Sequence, residues 1–174
     1  MTTFEQAFAV VVGHEGGYDA TRADPGNWTG GAVGQGALGG TKYGISAAAY
    51  PTLDIADLTE AQAQAIYKPD YWDRVRGDAL PPQLALLVFD AAVNNGVGAA
   101  VRWLQLAAGI GVDEDFGPET LAAVQAATDT TALCAEFQAQ RMTFMANLPT
   151  WRSFGLGWAR RLCALPWQAQ AMTA

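Results

Sequence analysis

The chain predicts an all-α, mostly helical fold, on three observations. Alanine-rich segments carry apolar residues at helical spacing, Val/Ile/Thr alternation of the strand kind is scarce, and capping residues, prolines and glycines punctuate the helix-sized segments. With 174 residues, 51% of them apolar and 16% charged, the chain can bury a continuous core as one domain, or as one domain with a small helical subdomain.

The first helix is expected over residues 3–15, with Gly16-Gly17 closing it, because glycine adopts the left-handed conformation of a helix end without steric cost. A long irregular stretch follows, from Tyr18 to about Gly44. It holds Pro25-Gly26, Gly30-Gly31, Gly34, Gly36 and Gly39-Gly40, too much glycine for a helix or a central strand. Loops of this length inside a compact domain are usually functional or disordered.

Thr59-Glu60-Ala61-Gln62 fits a capping box that opens a helix, which Pro69 stops or kinks. Pro81-Pro82 opens the next, with Leu84, Leu87, Val88, Ala91 and Ala92 on one face and Gly96 as its stop. Residues 97–108, 118–127, 131–147 and about 150–165 read as four more helices, with Pro118 in a first turn and Thr130 or Thr131 as a cap. A boundary, if the chain has one, falls near Gly109–Gly117.

The formal charge of −7 and a pI near 4.5 argue against binding to nucleic acid, and no basic stripe compensates. Any anionic polymer must be held by local chemistry. Cys134 and Cys163 are far apart in sequence; they either pair in an oxidising compartment or sit free and buried, and the second reading is favoured. The first dozen residues lack a basic region and a small-residue cleavage site, and no apolar run reaches the roughly 18 residues of a membrane span, so neither a signal peptide nor stable membrane insertion is expected.

Glu15 is the first candidate for chemistry. Counting about 100° per residue from Phe4 places Phe8, Val11, Val12 and Glu15 within one apolar face. Desolvation and the negative end of the helix dipole both raise a carboxyl pKa, so Glu15 is a candidate acid, still protonated near neutrality. A helix ending one turn earlier would swing it out to water. Asn95 repeats the geometry at the end of the Pro82 helix, where it serves either the inward face or the helix cap.

Other motifs fail their context. Gly34-Gln35-Gly36-Ala37-Leu38-Gly39 matches G-x-G-x-x-G but follows no strand and opens no helix. Asp113-Glu114-Asp115-Phe116-Gly117 lacks the periodicity of a calcium loop and reads as a turn before Pro118. The one histidine, His14, excludes a histidine-rich zinc site, and neither Ser46 nor Ser153 stands in a nucleophile elbow. Carboxylate chemistry is what remains, with no cofactor or metal expected.

At His14-Glu15-Gly16-Gly17-Tyr18, then Asp24-Pro25-Gly26 and Gly39-Gly40-Thr41-Lys42-Tyr43-Gly44-Ile45, the sequence resembles the glycoside hydrolase family 108 N-acetylmuramidases, the phage- and secretion-associated lysozymes. The likeness continues through Asp70-Tyr71-Trp72, Phe89-Asp90-Ala91-Ala92-Val93-Asn94-Asn95-Gly96, Trp103-Leu104-Gln105, Gly117-Pro118-Glu119-Thr120 and Gly157-Trp158. It implies a lysozyme-like catalytic region over 1–97 and a helical peptidoglycan-binding region over 98–174, packed as one compact unit.

The resemblance also assigns roles. Glu15 becomes the catalytic acid that cleaves the β-1,4 bond between N-acetylmuramic acid and N-acetylglucosamine, and Glu15, Asp24 and Thr41 resemble in order the Glu–Asp–Thr triad of phage-type lysozymes. Asp24 has a second reading, because Asp before Pro-Gly commonly starts a turn. Tyr18 and Tyr43 are expected to line the sugar groove, with Asn94 or Asn95 on an acetamido group; each could equally be a wall residue. Trp72, Trp103 and Trp158 are expected in the core. In the family Asp-Pro-Gly leads almost directly to Gly-Thr-Lys-Tyr-Gly-Ile, whereas here Asn27 to Leu38 intervenes as a lip or a flexible loop.

The partner implied is the peptidoglycan glycan strand. The setting implied is a prophage or gene-transfer-particle cassette, in which a holin or secretion machinery delivers a cytoplasmically made endolysin to the periplasm. A non-catalytic wall-binding, secretion-accessory or phage-particle module is the alternative.

Overall fold

The structure, a computed structural model, describes residues 3–13 and 17–172. Its elements are α1 (Thr3–Val11), β1 (Thr41–Lys42), β2 (Ile45–Ser46), α2 (Glu60–Tyr67), α3 (Pro82–Asn95), α4 (Val97–Ala107), α5 (Pro118–Ala126), α6 (Thr130–Ala146) and α7 (Trp151–Ala171). Short 3-10 turns stand at Pro25–Asn27 and Gly77–Ala79, and a π turn at Lys68–Trp72. The fold is all-α; the sheet among the described residues is the antiparallel hairpin β1–β2, with Thr41 opposite Ser46 and Lys42 opposite Ile45.

The described chain divides into two compact units. One holds α1 as far as Ala7 and everything described from Lys68 onward; the other is Phe8–Tyr67. In the first, α3 packs against α4, α6 and α7. The sequence marks one apolar face on α3, yet every residue from Leu84 to Ala92 is buried, because a helix with neighbours on several sides has no outward face. Phe4, Trp72 and Phe89 meet edge to face in this core, with centroids 5.5 to 5.9 Å apart. In the second unit Phe8 meets Tyr67 edge-on at 5.4 Å, over buried Ile45, Ile55, Leu58 and Ala63.

Several elements differ from their expected form. Helix α1 ends at Val11, since Gly13 takes φ +74° and turns the chain out of the helix before Gly16-Gly17 is reached. The angular count for Glu15 assumes an unbroken helix through residue 15, and Glu15 itself lies outside the described residues. Helix α6 is capped by Asp129, whose carboxylate accepts the Ala132 N–H at 2.9 Å, and Thr130 is already helical.

Helix α7 runs to Ala171, past the expected end near 165 and through Pro166. A proline has no N–H for the carbonyl four residues before it, here that of Leu162. Gln138 of α6 supplies the missing donor, its Nε2 reaching Leu162 O at 3.0 Å. Trp72 and Trp103 are buried as expected, but Trp158 is half-buried on one wall of a small pocket. The cysteines are unpaired; Cys163 is exposed and Cys134 half-buried, so neither is the fully buried thiol expected.

The capping box is present as read. Thr59 N–H donates to Gln62 Oε1 at 2.8 Å, and Gln62 N–H to Thr59 Oγ1 at 3.3 Å. The Asp113–Gly117 segment is the expected turn, organised by buried Gln105, whose Oε1 accepts from Asp113 N and Glu114 N and whose Nε2 donates to Asp113 Oδ1 at 2.6 Å. No helix of the described residues is long and apolar enough to cross a membrane.

Candidate active site

Glu15 and His14 lie outside the described residues. The other candidates in Phe8–Tyr67 gather around the hairpin. Asp19 and Thr41 form an antiparallel bridge, each donating its N–H to the other's carbonyl at 2.8 to 2.9 Å. The segment from Trp28 to Leu38 is a closed loop instead of a loose one: Trp28 and Leu38 bridge, Thr29 N–H reaches Ala37 O at 2.9 Å, and Gly30 N–H reaches Gln35 O at 3.0 Å. At its neck the Asn27 carbonyl accepts both the Gly39 and the Gly40 N–H. The insertion thereby leaves Thr41 in a fixed place on β1.

Thr41 donates its hydroxyl to Asn27 Oδ1 at 2.7 Å. Asn27, fully buried at 0% exposure, donates from Nδ2 to Asp19 Oδ2 at 3.0 Å and to Thr21 O at 3.1 Å. The Thr21 hydroxyl donates to Asp19 Oδ1 at 2.7 Å. The bonds from Thr21 and then from Asn27 hold the Asp19 carboxyl below its ordinary range. Asp24 stands at the start of the Pro25–Asn27 turn, its Oδ1 accepting the Gly26 N–H at 2.8 Å. That is the turn-starting geometry the Asp-Pro-Gly motif offers.

Tyr18 is exposed and its ring lies over Gly40, where an added Cβ would come within 2.3 Å of ring carbon. Tyr43 and Gly44 form the two-residue tip of the hairpin, with φ +51° and +73°, the left-handed pair that a tight hairpin turn requires. The Tyr43 carbonyl accepts the Tyr67 hydroxyl at 2.9 Å, and the Lys42 ammonium lies 5.8 Å from the Tyr43 ring centre.

Asn94 and Asn95 belong to the other unit, where they join an ionic cluster around a buried carboxylate. Asp90 of α3, at 0% exposure, accepts from Arg141 Nη1 at 2.6 Å and from Arg161 Nε at 2.8 Å. Asn94 Nδ2 donates to the Asp90 carbonyl at 2.8 Å, and Asn95 Oδ1 accepts from Arg141 Nε at 3.0 Å. Burial draws the Arg141 guanidinium below its usual value, against the pull of the Asp90 charge. Beside this cluster lies a pocket of about 120 Å³, lined by Asn94, Asn95, Arg141, Trp158 and Arg161 among others.

Residues 8–96, just over half of the chain, match the family model described as Glycosyl hydrolase 108. The chain belongs to the glycosyl hydrolase 108 family. Residues 99–163 of this hydrolase match the model described as Predicted Peptidoglycan domain. Among solved structures it is similar to SagA of Brucella abortus, at 31% identity and a TM-score of 0.77, over 97% of this chain and 94% of that one. No curated protein matches it. The family's activity is that of an N-acetylmuramidase, and the hydrolase is a glycosidase that acts on peptidoglycan in the cell wall.

Sequence reasoning missed Asp19, Asn27, Arg141 and Arg161. Asp19 carries no motif, and Asn27 reads as the first residue of an insertion. An arginine in an amphipathic helix is usually a solvated one, so nothing in α6 marks Arg141 as buried. The one available signal was on α3, where Asp90 sits inside an apolar run and demands a cationic partner.

Proposed function

We propose that this glycosyl hydrolase 108 chain cleaves the β-1,4 bond between N-acetylmuramic acid and N-acetylglucosamine with Glu15 as general acid, Thr41 as holder of the attacking water and Asp24 as the second carboxylate. Glu15 gives its proton to the glycosidic oxygen as that oxygen leaves the anomeric carbon. The sugar gains oxocarbenium character, which the Asp24 charge stabilises. Water then bonds to the anomeric carbon, and the proton it sheds passes to Asp24, giving inversion of configuration.

The observation that carries this reading is the direction of the Thr41 hydroxyl. Its proton is committed to Asn27 Oδ1, which leaves the lone pairs of Oγ1 to accept a hydrogen bond from water. Tyr18 and Tyr43 would line the glycan groove, and the amide atoms of Asn94 and Asn95 outside the Asp90 cluster would meet an acetamido group. The functional division would be a catalytic region over 1–97 and a wall-binding region over 98–174. Delivery by a holin or a secretion pathway, in a prophage or gene-transfer-particle setting, belongs to the same proposal.

Mass spectrometry of muropeptides released in labelled water, with proton NMR of the nascent anomer before it mutarotates, tests the chemistry directly. Label and new reducing end should both fall on N-acetylmuramic acid, with the anomer initially inverted. A reducing N-acetylglucosamine would overturn the bond assignment, and a retained anomer would overturn the direct attack by water.

A further inference from the structure

We propose that Asn27 is a positioning residue for the hydrolytic water, fixing the direction of the Thr41 hydroxyl while Asp19 fixes Asn27. The inference rests on the reading of Thr41 as the water holder. An asparagine amide can turn over, exchanging its oxygen and nitrogen, and a hydroxyl can rotate; the surroundings decide both.

Here both nitrogen partners are acceptors. Asp19 Oδ2 and the Thr21 carbonyl can only receive hydrogen bonds, because the Asp19 carboxyl is held ionised by the Thr21 hydroxyl and by Asn27 itself. Turning the amide over would set its oxygen against two acceptors in a buried place. Oδ1 must therefore face Thr41, and with Oδ1 there the Thr41 hydroxyl must donate. Its lone pairs are then left to accept an O–H of water, which leaves the water a lone pair of its own to present to the sugar.

The same residue holds the position of Thr41 as well as its polarity. The Asn27 carbonyl takes the Gly39 and Gly40 N–H groups, so it closes the inserted loop immediately before β1. A residue that looked like the start of an insertion is the point where that loop is tied to the site.

The test is a cycle of kcat and KM on a soluble peptidoglycan fragment for Thr41→Val, Asn27→Asp and Asp19→Ala, alone and combined. Thr41→Val should lower kcat by between about tenfold and a hundredfold, with KM little changed. Asn27→Asp sets a second carboxylate against Asp19; kcat relative to the parent enzyme should fall similarly near neutrality and recover in acid, where the pair shares a proton and the introduced acid, once neutral, donates to Asp19 and offers its carbonyl to Thr41. In the Thr41→Val background neither Asn27→Asp nor Asp19→Ala should lower kcat further.

Losses that multiply, losses confined to KM, or an unchanged kcat in Asn27→Asp and Asp19→Ala beside a damaged Thr41→Val would overturn the role of Asn27 alone. An unchanged Thr41→Val would instead remove the water-holding reading, and this inference with it. Should Asn27→Asp fail to fold, as judged by circular dichroism, the exposed Asp19→Ala carries the same comparison.

Discussion

At the scale of single residues, the proposed chemistry turns on protonation. Glu15→Gln should abolish release of reducing ends from purified cell wall while leaving the melting temperature nearly unchanged, because the amide keeps the shape and loses the proton. Retained activity would remove Glu15 from its role. For Asp24→Asn, a loss below about tenfold, or about 1.4 kcal/mol of barrier, would demote it to the turn starter its bond to Gly26 already makes it. The cysteines make a separate test. Burial pushes the Cys134 thiol up to about 11, whereas Cys163 is exposed, so iodoacetamide near neutrality should label Cys163 first, with peptide mapping as the readout. Asp19, with its carboxyl lowered in the folded chain, adds stability that is present above the ordinary carboxylate range and lost as pH falls through the lowered value.

Among the elements, the helices were legible where the sequence carries its own stop or start. Thr59 with Gln62, Pro82 in the first turn of α3 and Gly96 after it act through local bonds and backbone limits, and each stands where it was read. Helix α1 ended early because Gly13 turns the chain before the more conspicuous glycine pair. Helix α7 ran long because its proline defect is repaired from another helix, which no local pattern reveals. That repair is testable: Gln138→Ala strands the Leu162 carbonyl and should cost about 1–3 kcal/mol in urea unfolding. In a Pro166→Ala background the restored helical N–H takes that carbonyl, so most of the cost should vanish. Strict additivity of the two substitutions would refute the repair.

For the whole molecule, the Asp90 cluster is the feature that joins distant parts of the sequence, since it ties α3 to α6 and α7 through one buried carboxylate. Asp90→Asn leaves Arg141, at 1% exposure, without its counter-charge and should destabilise the protein by about 3–5 kcal/mol in equilibrium unfolding. The net charge of −7 acts at the same scale. Steering toward an anionic wall is unfavourable at low salt, so hydrolysis measured by turbidity loss should rise with moderate ionic strength. Inhibition by salt from the outset would mean that local cationic groups govern the encounter.

The sequence by itself determined the all-α class and most helix starts, because periodicity and caps are properties of neighbouring residues. Tertiary structure alone decided that Asn27 turns the Thr41 hydroxyl, that Arg141 answers Asp90 across 51 residues, and that Gln138 completes α7. Each of these satisfies a polar group with a partner far along the chain. Burial makes such a partner obligatory, but only folding says which residue it is.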